Sequence, residues 1–158
     1  MDVNLVYVSD SQIPDNIFAE EIANIRSQSL HRNSERDITG FLFFFEGKFV
    51  QILEGSFENV STLFSSIRKD HRHSNIRLNC FIECKKRSFS EWSMDTSMAF
   101  VALNHRELSV KLRFLGRFIN ETSYAPINLI ELLVSIAEEL KRRPDFPRGS
   151  PARLRLAT

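Results

Sequence analysis

Gln51 is the residue whose chemistry fits its sequence surroundings least. It lies in the run Phe49–Leu53, where all four remaining positions are apolar, so its amide is expected to be removed from water. A buried amide without hydrogen-bond partners costs about 1–3 kcal/mol. Either the protein satisfies this amide or a bound ligand does, and the pattern alone favours neither alternative.

Two further residues can supply hydrogen bonds near Gln51. Tyr7 alternates with Leu5 in the run Val3–Ser9, so its ring is expected to be buried and its hydroxyl needs a partner. Asn33 follows a helical stripe, where it either ends the helix or points a second amide inward. A phenol and amides within apolar surroundings form the type of slot that binds a flat, partly polar ligand.

Other residues capable of chemistry give weaker signals. His71 and His73 lie in a basic stretch that repels cations, which favours a solvated loop over a metal site. Cys80 and Cys84 are separated by roughly 13 Å along a strand, too far for a disulfide, so two reduced thiols are expected. Glu54 follows the buried strand and is expected to be solvated. The sequence contains no glycine-rich phosphate loop and no G-x-S-x-G or Cys/His nucleophile pattern.

The spacing of apolar positions predicts the elements that hold these residues. Three residues, Glu46-Gly47-Lys48, separate two apolar runs and predict a hairpin. The order β-α-β-β-α-β-β predicts an α+β, ferredoxin-like sandwich with two helices on one face of a five-stranded sheet. In this order the first strand lies beside the third, which makes Tyr7 and Gln51 neighbours. The strands are expected at residues 3–9, 41–45, 49–53, 76–84 and near 89–98, and the helices at about 15–33 and 56–67.

The chain changes character after about residue 102. We expect a domain at residues 1–101, then a two-helix extension at 102–143 that packs on the free face of the sheet. Residues 144–158 contain three prolines and scattered arginines and are expected to form a disordered basic tail. The net charge of +1 predicts no direct nucleic-acid binding. The absence of a long apolar run and of a signal peptide predicts a cytoplasmic protein without a membrane span.

Five short motifs lie within about residues 3–98, namely LVYVS at 5–9, Asn33 followed by ITG at 38–40, F-x-QILEG at 49–55, D-x-RH at 70–73 and W-x-M at 92–94. Together they resemble the BLUF family of blue-light sensors that use FAD. The resemblance implies a flavin ring between the two core helices, flanked by Ile25 and Ile67. Gln51 and Asn33 would hydrogen-bond the edge of the ring, and Tyr7 would bond Gln51.

The same resemblance implies contacts to the rest of the cofactor. Asp70, Arg72 and His73 match a family loop near the FAD tail. Arg32 lies beside the flavin asparagine, at a position where many members carry Asn or His. Ser66 replaces a basic residue that some members place near the FAD phosphates, so this chain departs from the family there.

The resemblance further implies a light-driven switch and not an enzyme. Light would rearrange the hydrogen bonds among Tyr7, Gln51 and flavin, and Trp92 and Met94 would relay the change to the helices on the free sheet face. The signal would reach a downstream partner, such as a transcription regulator or a signalling enzyme, and similar short members form homo-oligomers. Two alternatives remain open, a light-insensitive flavin-binding or interaction module and an acylphosphatase-like hydrolase. The hydrolase needs a phosphate loop with an arginine after the first strand, which residues 9–14 lack.

Overall fold

The computed structural model describes residues 1–95, 106–120 and 126–143 of the 158-residue chain. The predicted domain boundary near residue 101, residues 96–98 of the predicted fifth strand and the predicted tail at 144–158 lie outside the described residues. The strands are β1 (Asp2–Ser11), β2 (Thr39–Phe45), β3 (Lys48–Ser56), β4 (His73–Glu83) and β5 (Trp92–Asp95). The helices are α1 (Phe18–Glu35), α2 (Phe57–Ile67), α3 (Arg106–Asn120) and α4 (Pro126–Lys141).

The strands form a sheet in the order β4-β1-β3-β2-β5. Neighbouring strands are antiparallel except for β2 and β5, which are parallel. The α+β class and the antiparallel sheet flanked by helices agree with the sequence prediction. The register places Tyr7 on β1 directly opposite Gln51 on β3, so the predicted neighbours are Cα partners.

Each face of the sheet carries its own apolar core, because successive side chains of a strand point to opposite faces. One core, here called the α1/α2 core, joins Leu5, Tyr7 and Phe49 of the sheet to side chains of α1 and α2. The other, the α3/α4 core, joins Val50 and Ile52 to the leucine stripes of α3 and α4. β3 therefore contributes alternate residues to two separate cores.

Several element ends differ from the prediction for local reasons. α1 begins at Phe18 and not at Asp15, because Pro14 leads into a single 3-10 turn at residues 15–17. It ends at Glu35, where the carbonyl of Asn33 accepts hydrogen bonds from the N–H groups of residues 36 and 38 at 3.2 and 2.8 Å. β4 begins at His73, three residues early, because the long strand β1 offers partners as far as Ser11.

Glycines are required at two positions around β2. Gly47 has φ of +74° and follows Glu46 at +49°, which makes the tight turn of the β2–β3 hairpin. Gly40 has φ of +143°, and a Cβ placed there would lie 2.1 Å from the carbonyl oxygen of Ile52. No described helix combines the length and the apolar character that a membrane crossing requires.

Candidate functional site

Tyr7 and Gln51 form a buried hydrogen bond at the centre of the sheet. The Tyr7 hydroxyl donates to Gln51 Oε1 at 2.6 Å, and the two residues are 1% and 4% exposed. Burial raises the pKa of Tyr7 far above its usual 10, and the charge of Asp70 raises it further. The phenol therefore stays protonated and acts as a donor. Since Oε1 of Gln51 accepts from Tyr7, the Nε2 end of the amide is the one left for a further acceptor.

The helices provide mostly apolar walls around this pair. Ile25 of α1 is buried, and Ile67 of α2 is partly buried against the same core. The ring of Phe64 lies 5.5 Å from that of Tyr7. Asn33 is 2% exposed although its side chain is polar. A buried amide on α1 and the free donor end of Gln51 are groups that can hydrogen-bond the carbonyl and nitrogen edge of a flat ring, so these residues fit a flavin.

Ser9, which is buried, and His73, which is partly buried, form a second hydrogen-bonded pair close to Tyr7. Ser9 Oγ and His73 Nδ1 are 2.7 Å apart, and the imidazole lies 6.2 Å from the Tyr7 ring in an edge arrangement. Burial lowers the pKa of His73 to about 4, so the ring is uncharged at neutral pH. Ser9 is 1% exposed and cannot be reached as a nucleophile. The pair is therefore not a hydrolytic site.

The loop before β4 holds a compact ion-pair network. Arg72 donates two hydrogen bonds through Nε to the carboxylate of Asp70, at 3.0 and 3.1 Å, and one through Nη2 at 2.5 Å. Glu21 of α1 lies 3.6 Å from the same guanidinium. Burial alone would raise the pKa of Asp70, but the hydrogen bonds from the side chain and backbone of Arg72 hold it below 3.8. The network ties α1 to the start of β4.

The remaining predicted site residues lie at the β5 edge. Trp92 is 3% exposed and faces Gly40 across the parallel pair. Its indole Nε1 is buried without a hydrogen-bond partner in the described part of the chain. Met94 is the register partner of Leu42. Arg32 is exposed and lines, with Trp92, an open pocket of about 870 Å³ between α1 and β5.

Glu54 is a buried carboxylate and not the solvated strand-end residue expected from the sequence. It is 0% exposed and accepts from Thr39 Oγ1 at 3.1 Å, from Ser88 N at 2.9 Å and from Phe89 N at 3.0 Å. The two backbone donors come from a loop 34 and 35 residues away along the chain, which no local pattern reveals. Glu54 thereby fastens the β4–β5 connection to β3, three residues beyond Gln51.

The described residues offer few other centres for chemistry. Within residues 1–95, 106–120 and 126–143 no three His, Cys, Asp or Glu side chains are grouped as metal ligands. Cys80 and Cys84 are both buried and unbonded to each other, as predicted. Burial raises the pKa of Cys80 to about 11, so its thiolate is scarce at neutral pH.

Known proteins resemble this chain along most of its length. Over 142 residues it is 29% identical to the photoactivated adenylate cyclase subunit alpha of Euglena gracilis, covering 89% of this chain and 14% of that protein. It thus spans about one-seventh of the cyclase. Over 66 residues, 42% of this chain and 16% of the relative, it is 38% identical to the blue light- and temperature-regulated antirepressor BluF of Escherichia coli K12.

Solved structures and a family model agree with these relatives. The photo-activated state of BlsA is 28% identical, with a TM-score of 0.65, over 86% of this chain and 94% of that one. The dark-state structure of the BLUF protein BlrB shares the fold at 24% identity and a TM-score of 0.67, over 87% and 96% of the two chains. The family model described as BLUF, sensors of blue-light using FAD, matches residues 3–95. The chain therefore belongs to the BLUF family of blue-light flavin sensors.

Proposed function

We propose that this chain binds FAD and converts blue light into a rearrangement of the Tyr7–Gln51 hydrogen bond. The observation that carries the proposal is that bond itself, 2.6 Å long and shielded from water. A bound flavin supplies the absorption of blue light and an excited state that accepts electrons. The protein supplies the electron donor, the proton route and an amide that has a donor at one end and an acceptor at the other.

Tyr7 and Gln51 would carry out the switching steps. Tyr7 would give one electron to the excited flavin and its hydroxyl proton towards the Gln51 carbonyl, and would then regain both. During this exchange the Gln51 amide would turn or tautomerise, so that a different end faces Tyr7. No covalent bond to the cofactor would form, and the new hydrogen bonds would persist as the signalling state.

The roles of the other cofactor-binding residues remain predictions. We propose that Ile25 and Ile67 hold the two faces of the ring and that Asn33 bonds its edge. Asp70, Arg72, His73 and Arg32 would contact the remainder of the cofactor. Ile25 and Asn33 are buried, and Ile67 and the residues at 70, 72 and 73 are partly buried, which supports this placement for all but Arg32, which is exposed.

The choice between FAD and FMN can be measured directly. The family description names FAD, whereas BlrP1, a protein of similar fold, has been solved with FMN. We expect the flavin released from purified protein by acid to elute as FAD in chromatography. Preferential binding of FMN when both are offered in equal amounts would contradict the role proposed for the loop at residues 70–73.

We propose that the light signal leaves the sheet through the α3/α4 core. We propose that residues 1–101 form a ferredoxin-like sensor domain and residues 102–143 a two-helix output segment, with no catalytic activity of its own. Trp92 and Met94 on β5 would pass the amide rearrangement to these helices. Relatives join this kind of sensor to adenylate cyclase or act as an antirepressor. We therefore propose a cytoplasmic homo-oligomer that binds a transcription regulator or a signalling enzyme.

Light-minus-dark absorption tests the proposal. Purified full-length protein should be yellow, and blue light should shift its absorption to the red reversibly and without bleaching. Tyr7→Phe and Gln51→Ala should each retain flavin but lose the shift. Gln12→Ala is a matched control, because Gln12 is exposed at the end of β1, and it should behave as the unchanged protein. A Gln51→Ala variant with a normal shift would refute the mechanism, and a light-insensitive flavin module would show bound flavin with no shift in any variant.

A further inference from the structure

The Ser9–His73 pair lies directly behind the switch residue. Tyr7 and Ser9 are two residues apart on β1 and point to the same face of the sheet. The hydrogen bond between Ser9 Oγ and His73 Nδ1 is 2.7 Å long, and it fixes the plane of the imidazole. That ring meets Tyr7 edge-on at 68° and lies 4.8 Å from the ring of Phe49. The imidazole is therefore packed between the phenol ring of Tyr7 and the phenyl ring of Phe49.

The surroundings of His73 keep it uncharged at neutral pH. Its burial disfavours the protonated form, Asp70 favours that form, and Arg72 disfavours it. Asp70 is already bonded to Arg72, so much of its charge is compensated locally. From α1, Glu21 reaches Arg72 and not the imidazole. β1 presents the Ser9 hydroxyl and the protonated phenol of Tyr7 to it, and β3 presents the phenyl ring of Phe49. The pKa of His73 consequently lies near 4.

We propose that Ser9 and His73 are positioning residues for Tyr7. The hydrogen bond between Ser9 and His73 holds an uncharged imidazole against the phenol ring of Tyr7. This contact keeps the Tyr7 hydroxyl aimed at Gln51, and it keeps positive charge away from the ring that must lose an electron. A cation at this distance in a buried site would make electron loss harder. The effect on the light-induced red shift rests on the proposed function, whereas the positioning of the Tyr7 hydroxyl by Ser9 and His73 does not.

The optical test is a pH profile of the light-induced red shift in the flavin-loaded full chain. The shift of the unchanged protein should be constant near neutrality and fall to about half at pH 4, where His73 is half protonated. In His73→Gln the shift is expressed relative to its own value at pH 7, and it should show no acid decline, because an amide can bond Ser9 but does not take up the proton. His71→Gln is the matched control, since that side chain is 94% exposed, and it should retain the acid decline.

Three further variants separate positioning from a general structural effect. Ser9→Ala and His73→Leu remove the hydrogen bond and should each change the yield of the red-shifted state at pH 7. Ser9→Thr retains a hydroxyl and should restore the yield. Bound flavin is measured in every sample by absorbance after gel filtration, so that loss of cofactor is not mistaken for loss of switching. An unchanged acid decline in His73→Gln, or an unchanged yield in Ser9→Ala, would overturn the proposal.

A measurement without light distinguishes this proposal from the proposed function. Ring nitrogen chemical shifts of ¹⁵N-labelled protein should show His73 uncharged at pH 5.5, where an unperturbed imidazole is mostly protonated. The hydroxyl proton of Tyr7 should change its chemical shift in Ser9→Ala. A cationic His73 at pH 5.5, or a Tyr7 hydroxyl insensitive to Ser9, would refute the positioning role even in a protein that switches normally. If the unchanged protein shows no red shift, the proposed function fails and these spectra still decide the role of the pair.

Discussion

Removing both members of the Tyr7–Gln51 pair should destabilise the fold less than removing either one. Tyr7→Phe leaves Gln51 Oε1 buried without its donor, which should lower the free energy of unfolding by about 1–3 kcal/mol. Gln51→Met has a similar shape and leaves the Tyr7 hydroxyl without its acceptor, at about the same cost. In the double variant both side chains of the pair are apolar, and the loss in the free energy of unfolding should shrink to about 1 kcal/mol or less. With about 2 kcal/mol for each single loss and about 1 kcal/mol for the double, the interaction energy of the cycle should be about 3 kcal/mol in magnitude.

Urea unfolding of the flavin-free full chain, followed by circular dichroism, measures this cycle. Flavin is omitted because a ligand that binds only the folded state adds its own stabilisation. Ser66→Ala serves as a control, since the Ser66 hydroxyl bonds Thr62 O on an exposed surface. Its effect should stay within about 0.5 kcal/mol. Strictly additive losses in the double variant would show that the phenol and the amide do not interact energetically, and the reasoning about the site would be wrong.

Three further predictions concern other buried groups. Glu54→Ala should lower the free energy of unfolding by about 3–5 kcal/mol because two backbone N–H groups and a hydroxyl lose their acceptor, and Glu54→Gln should cost less; equal losses in urea unfolding would contradict this. Because the pKa of His73 is depressed from 6.5 to about 4, its contribution to stability is present above pH 6.5 and is lost as the pH falls towards 4. The loss amounts to about 3 kcal/mol at most, and a His73→Gln variant should show a correspondingly shallower acid decline in unfolding midpoints. Cys80 and Cys84 should react with a thiol reagent at pH 7.5 only after denaturant is added, and stoichiometric labelling of the native protein would show that the thiols are accessible.

Short-range patterns were sufficient to predict the central pair. The alternation around Tyr7 and the apolar run around Gln51 each indicate a strand, and the order of elements along the chain places the first strand beside the third. The register then brings the two side chains together. This worked because both strands pair without a bulge between residues 2 and 10 of β1.

The contacts that the sequence did not predict lie where strand pairing is irregular or where a loop supplies the partner. The ladder between β1 and β4 shifts its register between Val6 and Tyr7 and again between Val8 and Asp10. Ser9 lies inside the second shift, so its contact with His73, 64 residues away, cannot be counted from strand positions. Glu54 was misjudged for a related reason, because two of its three donors are backbone N–H groups of a loop whose path has no periodicity.

The alternation of β3 means that Gln51 and the nearest side chain packed on the proposed output helices are one peptide unit apart. Gln51 faces the α1/α2 core, and Ile52, bonded to it, faces the helices α3 and α4. A twist of that single peptide would be felt on both sides of the sheet without any relay through intervening layers. Exchanging α3 and α4 for other amphipathic helices that complement Val50 and Ile52 would then leave the light-sensing half intact. The proposed rearrangement would then act on whichever helices pack on Val50 and Ile52.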